Sequence, residues 1–282
     1  MVHHVRRDRD PQVIQQWMPI WDWFYRYYFR VQTSGWEHIP ANGQVLFVGQ
    51  HNGGLATPDL FMFLYDWIRC FGYDRVVYGL THAKVWEVFP QLAEMAAQVG
   101  ATPFYPRNAI ALIREGHSLL VYPGGGQDVF RPHRWRDRIY FHGRTGFIRL
   151  ALWHSLPITP LISWGAHDTL FVLDDIYPLM QQFHKWGVPW ILDVDPEVFP
   201  IYLGLPWGIA FGPLLNIPLP AQIHTRVCPP IVFERYGYEA SRDRAYVQAC
   251  YNQVILTMQA ELDQLMADVE EGKNRPSAEP SF

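Results

Sequence analysis

Short apolar runs alternate with stretches of helical periodicity along this chain. Residues 45–49 (VLFVG), 75–80 (RVVYGL), 118–122 (SLLVY) and 158–164 (ITPLISW) carry almost no polar side chain, as buried strands do. Residues 11–31 predict a helix bent near Pro19, because proline lacks the N–H the preceding turn needs. Thr57 and Pro58 open a helix that runs on through LFMFLYDWIRC. Helix also follows the second apolar run to about position 99. Residues 100–106 read as a loop or short strand, 108–115 as a short helix closed by Gly116, and 143–154 as another helix. One more strand falls in 224–235. Residues 241–270 form a long amphipathic helix with Val247, Cys250, Tyr251, Val254, Met258, Leu262, Leu265 and Val269 near one face. Strand, loop and helix recur in that order, which predicts an α/β fold with a central mixed sheet flanked by helices.

Composition sharpens the picture. Of 282 residues, 16 % are aromatic and only 18 % charged, with a formal net charge of −4. That balance argues against a nucleic-acid partner, which selects a basic excess. Among 23 basic residues only Lys84, Lys185 and Lys273 are lysines, so the cations are mostly of the kind that tolerates burial and bidentate bonding. Cys70, Cys228 and Cys250 show no paired spacing, so neither a disulfide scaffold nor a cysteine metal site is expected. The charged opening MVHHVRRDRD has no apolar core behind it, so no ordinary signal peptide is expected. Residues 198–225 lack Lys, Arg, Asp and Glu, yet five prolines and three glycines predict loops and short strands there, not a spanning helix. Residues 12–28 (QVIQQWMPIWDWFYRYY) gather Trp, Tyr and Arg as a helix at a lipid headgroup layer does, though an aromatic helix packed on a core reads the same way.

Two loops carry candidate chemistry, each after an apolar run. In the first, His51, Asn52, Gly53 and Gly54 are followed by Asp59. Histidine there is a candidate general base, and a carboxylate bonded to its ring would fix the tautomer. The plainer reading is a turn with a surface histidine and an aspartate suited to a helix N-terminus. In the second, Pro123, Gly124, Gly125 and Gly126 precede Asp128, and consecutive glycines expose N–H groups that suit a phosphate or an oxyanion. Six arginines (131, 134, 136, 138, 144 and 149) then face the single acid Asp137, which suits an anionic ligand or membrane surface, or a solvated face. There is no Gly-x-Ser-x-Gly elbow, no His-Glu-x-x-His and no phosphate-loop signature; no metal is expected.

These blocks, in order, resemble the phospholipid/glycerol acyltransferase superfamily, most of all its diacylglycerol acyltransferase-like branch. The matching stretches are VLFVGQHNGG, GATPFYPRNAIALIREGHSLLVYPGGGQD, GRTGFIRLALWHSLPITPLISWGAHDTL and FGPLLNIPLPAQIHTRVCPPI. The resemblance implies a glycerolipid acyltransferase-like fold in which His51 deprotonates an acceptor hydroxyl and Asp59 orients His51. Asn52, Gly53, Arg107, Pro123, Gly124, Gly125, Gly126 and Asp128 would hold substrate. No cofactor is implied beyond acyl-CoA or an acyl-carrier protein as co-substrate. The partners would be an acyl thioester donor, a lipid alcohol acceptor and a membrane surface. Two departures stand out. The superfamily usually places Asp five positions after the His, where this chain has Ala56, and Gly124 replaces the Glu of the lysophosphatidate branch. The second points to a neutral alcohol acceptor. The expected organisation is a tail and interfacial helix at 1–31, an acyltransferase domain at 32–270 and a flexible tail at 271–282, attached peripherally or monotopically to the cytosolic face of a membrane. A thioesterase or lipid hydrolase, and a non-catalytic lipid-binding protein, remain alternatives.

Overall fold

The computed structural model describes residues 9–88, 90–190 and 194–273. Most of both expected tails therefore lies outside the described residues. The strands are β1 (Gln32–Ser34), β2 (Leu46–Gly49), β3 (Val77–Thr81), β4 (Ala101–Pro103), β5 (Ser118–Val121), β6 (Ile158–Trp164), β7 (Phe171–Asp175), β8 (Pro200–Gly204), β9 (Gly208–Phe211) and β10 (His224–Val227). The α-helices are α1 (Pro11–Trp23), α2 (Pro58–Phe71), α3 (Ala83–Val88), α4 (Pro90–Gln98), α5 (Pro106–Arg114), α6 (Gly125–Val129), α7 (Gly146–Trp153), α8 (Tyr177–Lys185), α9 (Tyr238–Arg242) and α10 (Arg244–Glu270).

Seven strands form the central sheet in the order β1-β10-β6-β2-β5-β3-β4. The five from β6 to β4 are mutually parallel, and β10 runs antiparallel to β6. The sheet is thus mixed and flanked by helices, as the alternation of runs predicts. Its apolar strands are buried on both faces, and successive residues divide between them. Leu46, Val48, Leu119, Val121, Ile158 and Ile162 pack with α5, α7 and α10. Val45, Phe47, Leu120 and Leu161 pack with Phe63, Leu64 and Trp67 of α2. Parallel strands need this double cover, since each crossover lays a helix on one face.

The N-terminal helix differs from expectation in detail. It runs unbroken through Pro19, and the irregularity comes later, as π-helical turns over Phe24–Tyr28. Pro19 faces solvent, where water can take up the carbonyl that its missing N–H leaves free. Most of the aromatic segment turns inward. Ile14, Trp21 and Phe29 are buried against Met62, Tyr65 and Ile68 of α2, and the Tyr25 hydroxyl donates to Asp66 at 2.8 Å. Ile20, Trp23 and Tyr27 remain exposed.

A second sheet, β7-β8-β9, is antiparallel throughout. Its inner residues Val172, Tyr202 and Ala210 pack with Val129 and Phe130 just after the glycine loop. Among the described residues no helix is long and apolar enough to cross a membrane. The charge-free stretch folds as β8, β9, connecting loops and the start of β10, in line with the short strands and loops its prolines and glycines predict.

The two faces of α10 offer a direct check of the packing. Leu262 is fully buried in the main core, whereas Leu256 is 71 % exposed. Urea denaturation should find Leu262→Ala destabilised by about 2–5 kcal/mol. Leu256→Ala should fall within about 0.5 kcal/mol of the parent.

Candidate active site

Five parallel strands deliver their following loops to one edge of the sheet, where open α/β folds place their ligands. The loop after β2 carries His51, and the loop after β5 begins at Tyr122. The two meet because β2 ends in Gly49: a Cβ there would lie 2.7 Å from the Tyr122 ring. The Tyr122 ring stacks on the His51 imidazole, with centroids 4.7 Å apart and planes within 17°.

His51 is held by its backbone. Its N–H donates to Asp128 Oδ2 at 2.5 Å, and its carbonyl accepts from Arg131 Nη1 at 2.7 Å. The ring Nδ1 has no hydrogen-bond partner. Burial, and then the positive charge of Arg131, push the ring pKa down to about 3. The imidazole is therefore neutral at physiological pH, and so low a value makes it a weak proton acceptor in the free protein. Its neighbours are equally fixed. Gln50 Nε2 donates to the Ser163 carbonyl at 2.6 Å, tying the loop to β6. Asn52 Oδ1 accepts from Arg131 Nη2 at 2.5 Å, while its Nδ2 donates to Asp59 Oδ2 at 2.9 Å.

That last bond corrects the expected dyad. Asp59 is the second residue of α2 and 3 % exposed. Its Oδ1 accepts the Leu60 N–H and its Oδ2 the Asn52 amide, so it holds Asn52 instead of the His51 ring. The cause is local. Residues 54–56 form a 3₁₀ turn and Thr57 takes φ +40°, so the long loop closes with Asn52 beside the helix start. Thr57 occupies the N-cap position without a side-chain capping bond. Burial raises the Asp59 pKa to about 7, against the lowering effect of its hydrogen bonds and of Arg131.

The glycine loop leads directly into a helix. Gly125, Gly126 and Asp128 belong to the short helix α6, with Gly124 as its N-cap. A Cβ on Gly124 would lie 2.2 Å from the Asp128 Cβ, so only glycine lets Asp128 fold back onto the His51 N–H. Asp128 is 1 % exposed and pairs with Arg131 Nη1 at 2.9 Å. It is a brace, and burial raises its pKa to about 6 despite that pair. Arg144 donates to the carbonyls of Pro123 and Gly124. Gly53 is enclosed too, since a Cβ there would meet Thr169 Oγ1 at 2.5 Å, and its carbonyl accepts from Asn216 Nδ2 at 3.1 Å.

Arg107 shares no hydrogen bond with this cluster. It is exposed at the start of α5, its guanidinium 5.3 Å above the Tyr105 ring. The preceding strand β4 lies three positions from β2 in the sheet, or about 14 Å at ordinary strand spacing. Conversely, Tyr122, Arg131, Arg144 and Asn216 join the site without standing out as site residues in the sequence. In the sequence Arg131 and Arg144 appear only as members of the basic run.

The raised Asp59 pKa makes a stability prediction. An acid whose folded pKa exceeds its unfolded value stabilises below the unfolded value, near 4, and loses that contribution as pH rises through about 7. Asp59→Asn removes the titration. Its stability relative to the parent should rise by about 3–4 kcal/mol between pH 4 and pH 8 in denaturant titrations.

No protein-family profile matches the chain. Uncharacterised proteins of Mycobacterium tuberculosis and Mycobacterium bovis are 28 % identical over 251 residues, 88 % of this chain. The chain spans 65 % of the length of those relatives. Mouse 2-acylglycerol O-acyltransferase 1 is 22 % identical over 162 residues, covering 55 % of this chain and 47 % of that enzyme. A crystal structure of the 1-acyl-sn-glycerophosphate acyltransferase PlsC from Thermotoga maritima aligns with 89 % of this chain and 84 % of its own. The TM-score is 0.45 at 14 % identity, so the two shapes agree only loosely. The chain that resembles the phospholipid/glycerol acyltransferases in its ordered motifs is thus similar, over more than half its length, to an enzyme that transfers acyl groups to a lipid.

Proposed function

We propose that this protein is a lipid O-acyltransferase in which His51 is the general base. One observation carries the reading: a neutral imidazole, clamped through its backbone, stands at the sheet edge where α/β folds bind ligands. In the proposed step the His51 ring takes the proton of a lipid hydroxyl as its oxygen attacks the carbonyl carbon of an acyl thioester. The tetrahedral intermediate collapses with cleavage of the C–S bond, and the imidazolium returns the proton to the departing thiolate. Acyl-CoA or an acyl-carrier protein supplies the thioester. No covalent acyl-enzyme forms, which agrees with the missing serine elbow. The name of the mouse relative supports a neutral acylglycerol as acceptor. Pro123, Gly124, Gly125 and Gly126 would border the reacting carbonyl.

Transfer from labelled acyl-CoA to monoacylglycerol, diacylglycerol or lysophosphatidate in liposomes tests the reading. The neutral acceptors should be preferred, and His51→Ala should lower the rate by about 10²–10⁴-fold. Release of free fatty acid without acceptor acylation would favour a hydrolase. Vesicle binding with no transfer from acyl-CoA or acyl-carrier protein would favour a lipid-binding protein.

A lipid acceptor must reach the site from a bilayer, and the second sheet supports a docking face. Phe171, Leu203 and Ile209 are paired across β7, β8 and β9 and all exposed, and Phe211 and Trp207 extend the patch. The open face of an antiparallel sheet is ordinarily polar. Residues 198–225 carry no Lys, Arg, Asp or Glu, so insertion would bury no charge from them. The same region reaches the His51 loop through Asn216, which bonds the Gly53 carbonyl and the Ala56 N–H. The exposed residues Ile20, Trp23 and Tyr27 of the N-terminal segment form a smaller apolar surface. Ile209→Asp with Phe211→Asp should reduce co-sedimentation with phosphatidylcholine vesicles about tenfold or more, whereas Trp23→Ser should reduce it less. The reverse order would assign docking to the N-terminal segment.

A further inference from the structure

Arg131 follows α6 in a run of arginines, yet it is only 6 % exposed. Its Nη1 donates to the His51 carbonyl at 2.7 Å, the Asp128 carbonyl at 3.0 Å and Asp128 Oδ1 at 2.9 Å. Its Nη2 donates to Asn52 Oδ1 at 2.5 Å and the Arg136 carbonyl at 3.0 Å. Its Nε donates to the Trp135 carbonyl at 3.2 Å. Every N–H of the guanidinium is engaged, so none is left for a substrate anion. The expectation of an anion-facing arginine therefore fails at this position.

What those bonds reach is informative. The His51 carbonyl is held by Arg131, and the His51 N–H is held by the other oxygen of the same Asp128 that Arg131 pairs with. The peptide groups on both sides of the ring-bearing carbon are thus fixed by one buried ion pair. The ring itself has no partner at Nδ1, where a dyad carboxylate would sit. Asp59 touches Asn52, and Asn52 touches Arg131.

We infer that Arg131, acting with Asp128, is the positioning residue for the proposed base: it fixes His51 through its main chain, the task a ring-bound carboxylate performs in a catalytic dyad. Asp59 stands one step further out and acts through Asn52. This rests on His51 being the base in the reading above. Burying a charge pair is unfavourable unless its geometry is fully satisfied, so its presence beside the candidate base calls for a role that packing alone does not require. The charged and titratable groups that face the ring are Tyr122, stacked on it, and Arg131; Asp59 and Asp128 act on Tyr122, and Arg144 acts on Asp128. Arg131 also helps keep the ring unprotonated.

The test compares Arg131→Lys, which keeps the charge but loses the planar fork, with Arg131→Met, which loses both, and with Asp59→Asn. In the transfer assay Arg131→Lys should lower kcat about 10²-fold with KM for acyl-CoA little changed, the effect of a misplaced catalytic group. Asp59→Asn should lower it less. NMR of the full chain with labelled histidine gives a readout that does not need turnover. The His51 amide proton should resonate far downfield in the parent, as a short bond to carboxylate demands, and move upfield in both Arg131 variants. The ring titration midpoint should rise by about one unit in Arg131→Met and stay nearly in place in Arg131→Lys. If Arg131→Met does not fold, Arg131→Lys decides through the amide shift and kcat. An unmoved amide with near-parental kcat in Arg131→Lys would overturn the inference, as would a loss in Asp59→Asn equal to that in His51→Ala. If the parent transfers no acyl group, the function reading fails while the amide shift still judges the clamp.

Discussion

A guanidinium can stay buried only where acceptors meet all of its N–H groups, and at Arg131 that condition organises the site. The acceptors come from the loop after β2, from Asp128 in α6 and from the turn that carries Trp135 and Arg136. The Arg131 carbonyl in turn bonds the His167 ring at 2.8 Å, which reaches the segment after β6. One residue, through its side chain and its carbonyl, therefore links the loops following three neighbouring strands. Removing either member of the Arg131–Asp128 pair would leave the other charge buried and unpaired, a state worse than having neither. The glycines serve the same end. Gly124 leaves room for Asp128, and Gly49 leaves room for the tyrosine on which the histidine rests.

Much of the fold is legible in the sequence, for a reason visible in the packing. Strands β2, β5 and β6 are covered on both faces, so every residue is under the same pressure to be apolar and the runs are unbroken. The long helix α10 is legible because one face meets the core and the other meets water. Elements without that contrast are hard to read. β1 has three residues and takes its place through pairing with β10, which comes some 190 positions later. β7 is apolar inward at Val172 and outward at Phe171 and Leu173, so it lacks the alternation that marks a half-buried strand. Pro19 shows the limit of a local rule, since a proline on the solvent face leaves helix α1 continuous.

The site divides in the same way. His51 and the glycines stand out because their types are unusual after apolar runs. Their partners do not, because partnership is a tertiary property. Arg131 shares its run with Arg134, Arg136 and Arg138, and composition cannot tell the buried one from its neighbours. The fold separates them, leaving Arg134 in an exposed pair with Asp174 and Arg136 beside Asp137 and Asp168. The spacing between His51 and Asp59 suggested a stretched dyad. In the fold Asp59 bonds Asn52, and it connects to His51 only through Asn52 and Arg131.

The disposition of cations bears on the acceptor of the proposed reaction. A phosphate-bearing lipid needs a donor-rich cation within reach of its headgroup. Near His51, Arg131 has every donor engaged within the protein, and Arg144 bonds the carbonyls of the glycine loop and the Gln127 side chain. Arg136 faces two carboxylates. Arg107, which the family resemblance assigns to substrate, lies in α5 after the edge strand β4, where its guanidinium stacks on Tyr105. A neutral hydroxyl makes no such demand: it needs only the unprotonated ring and an apolar approach. On that ground the proposed reaction is better matched by an uncharged acceptor, the class that Gly124 implies through the family resemblance.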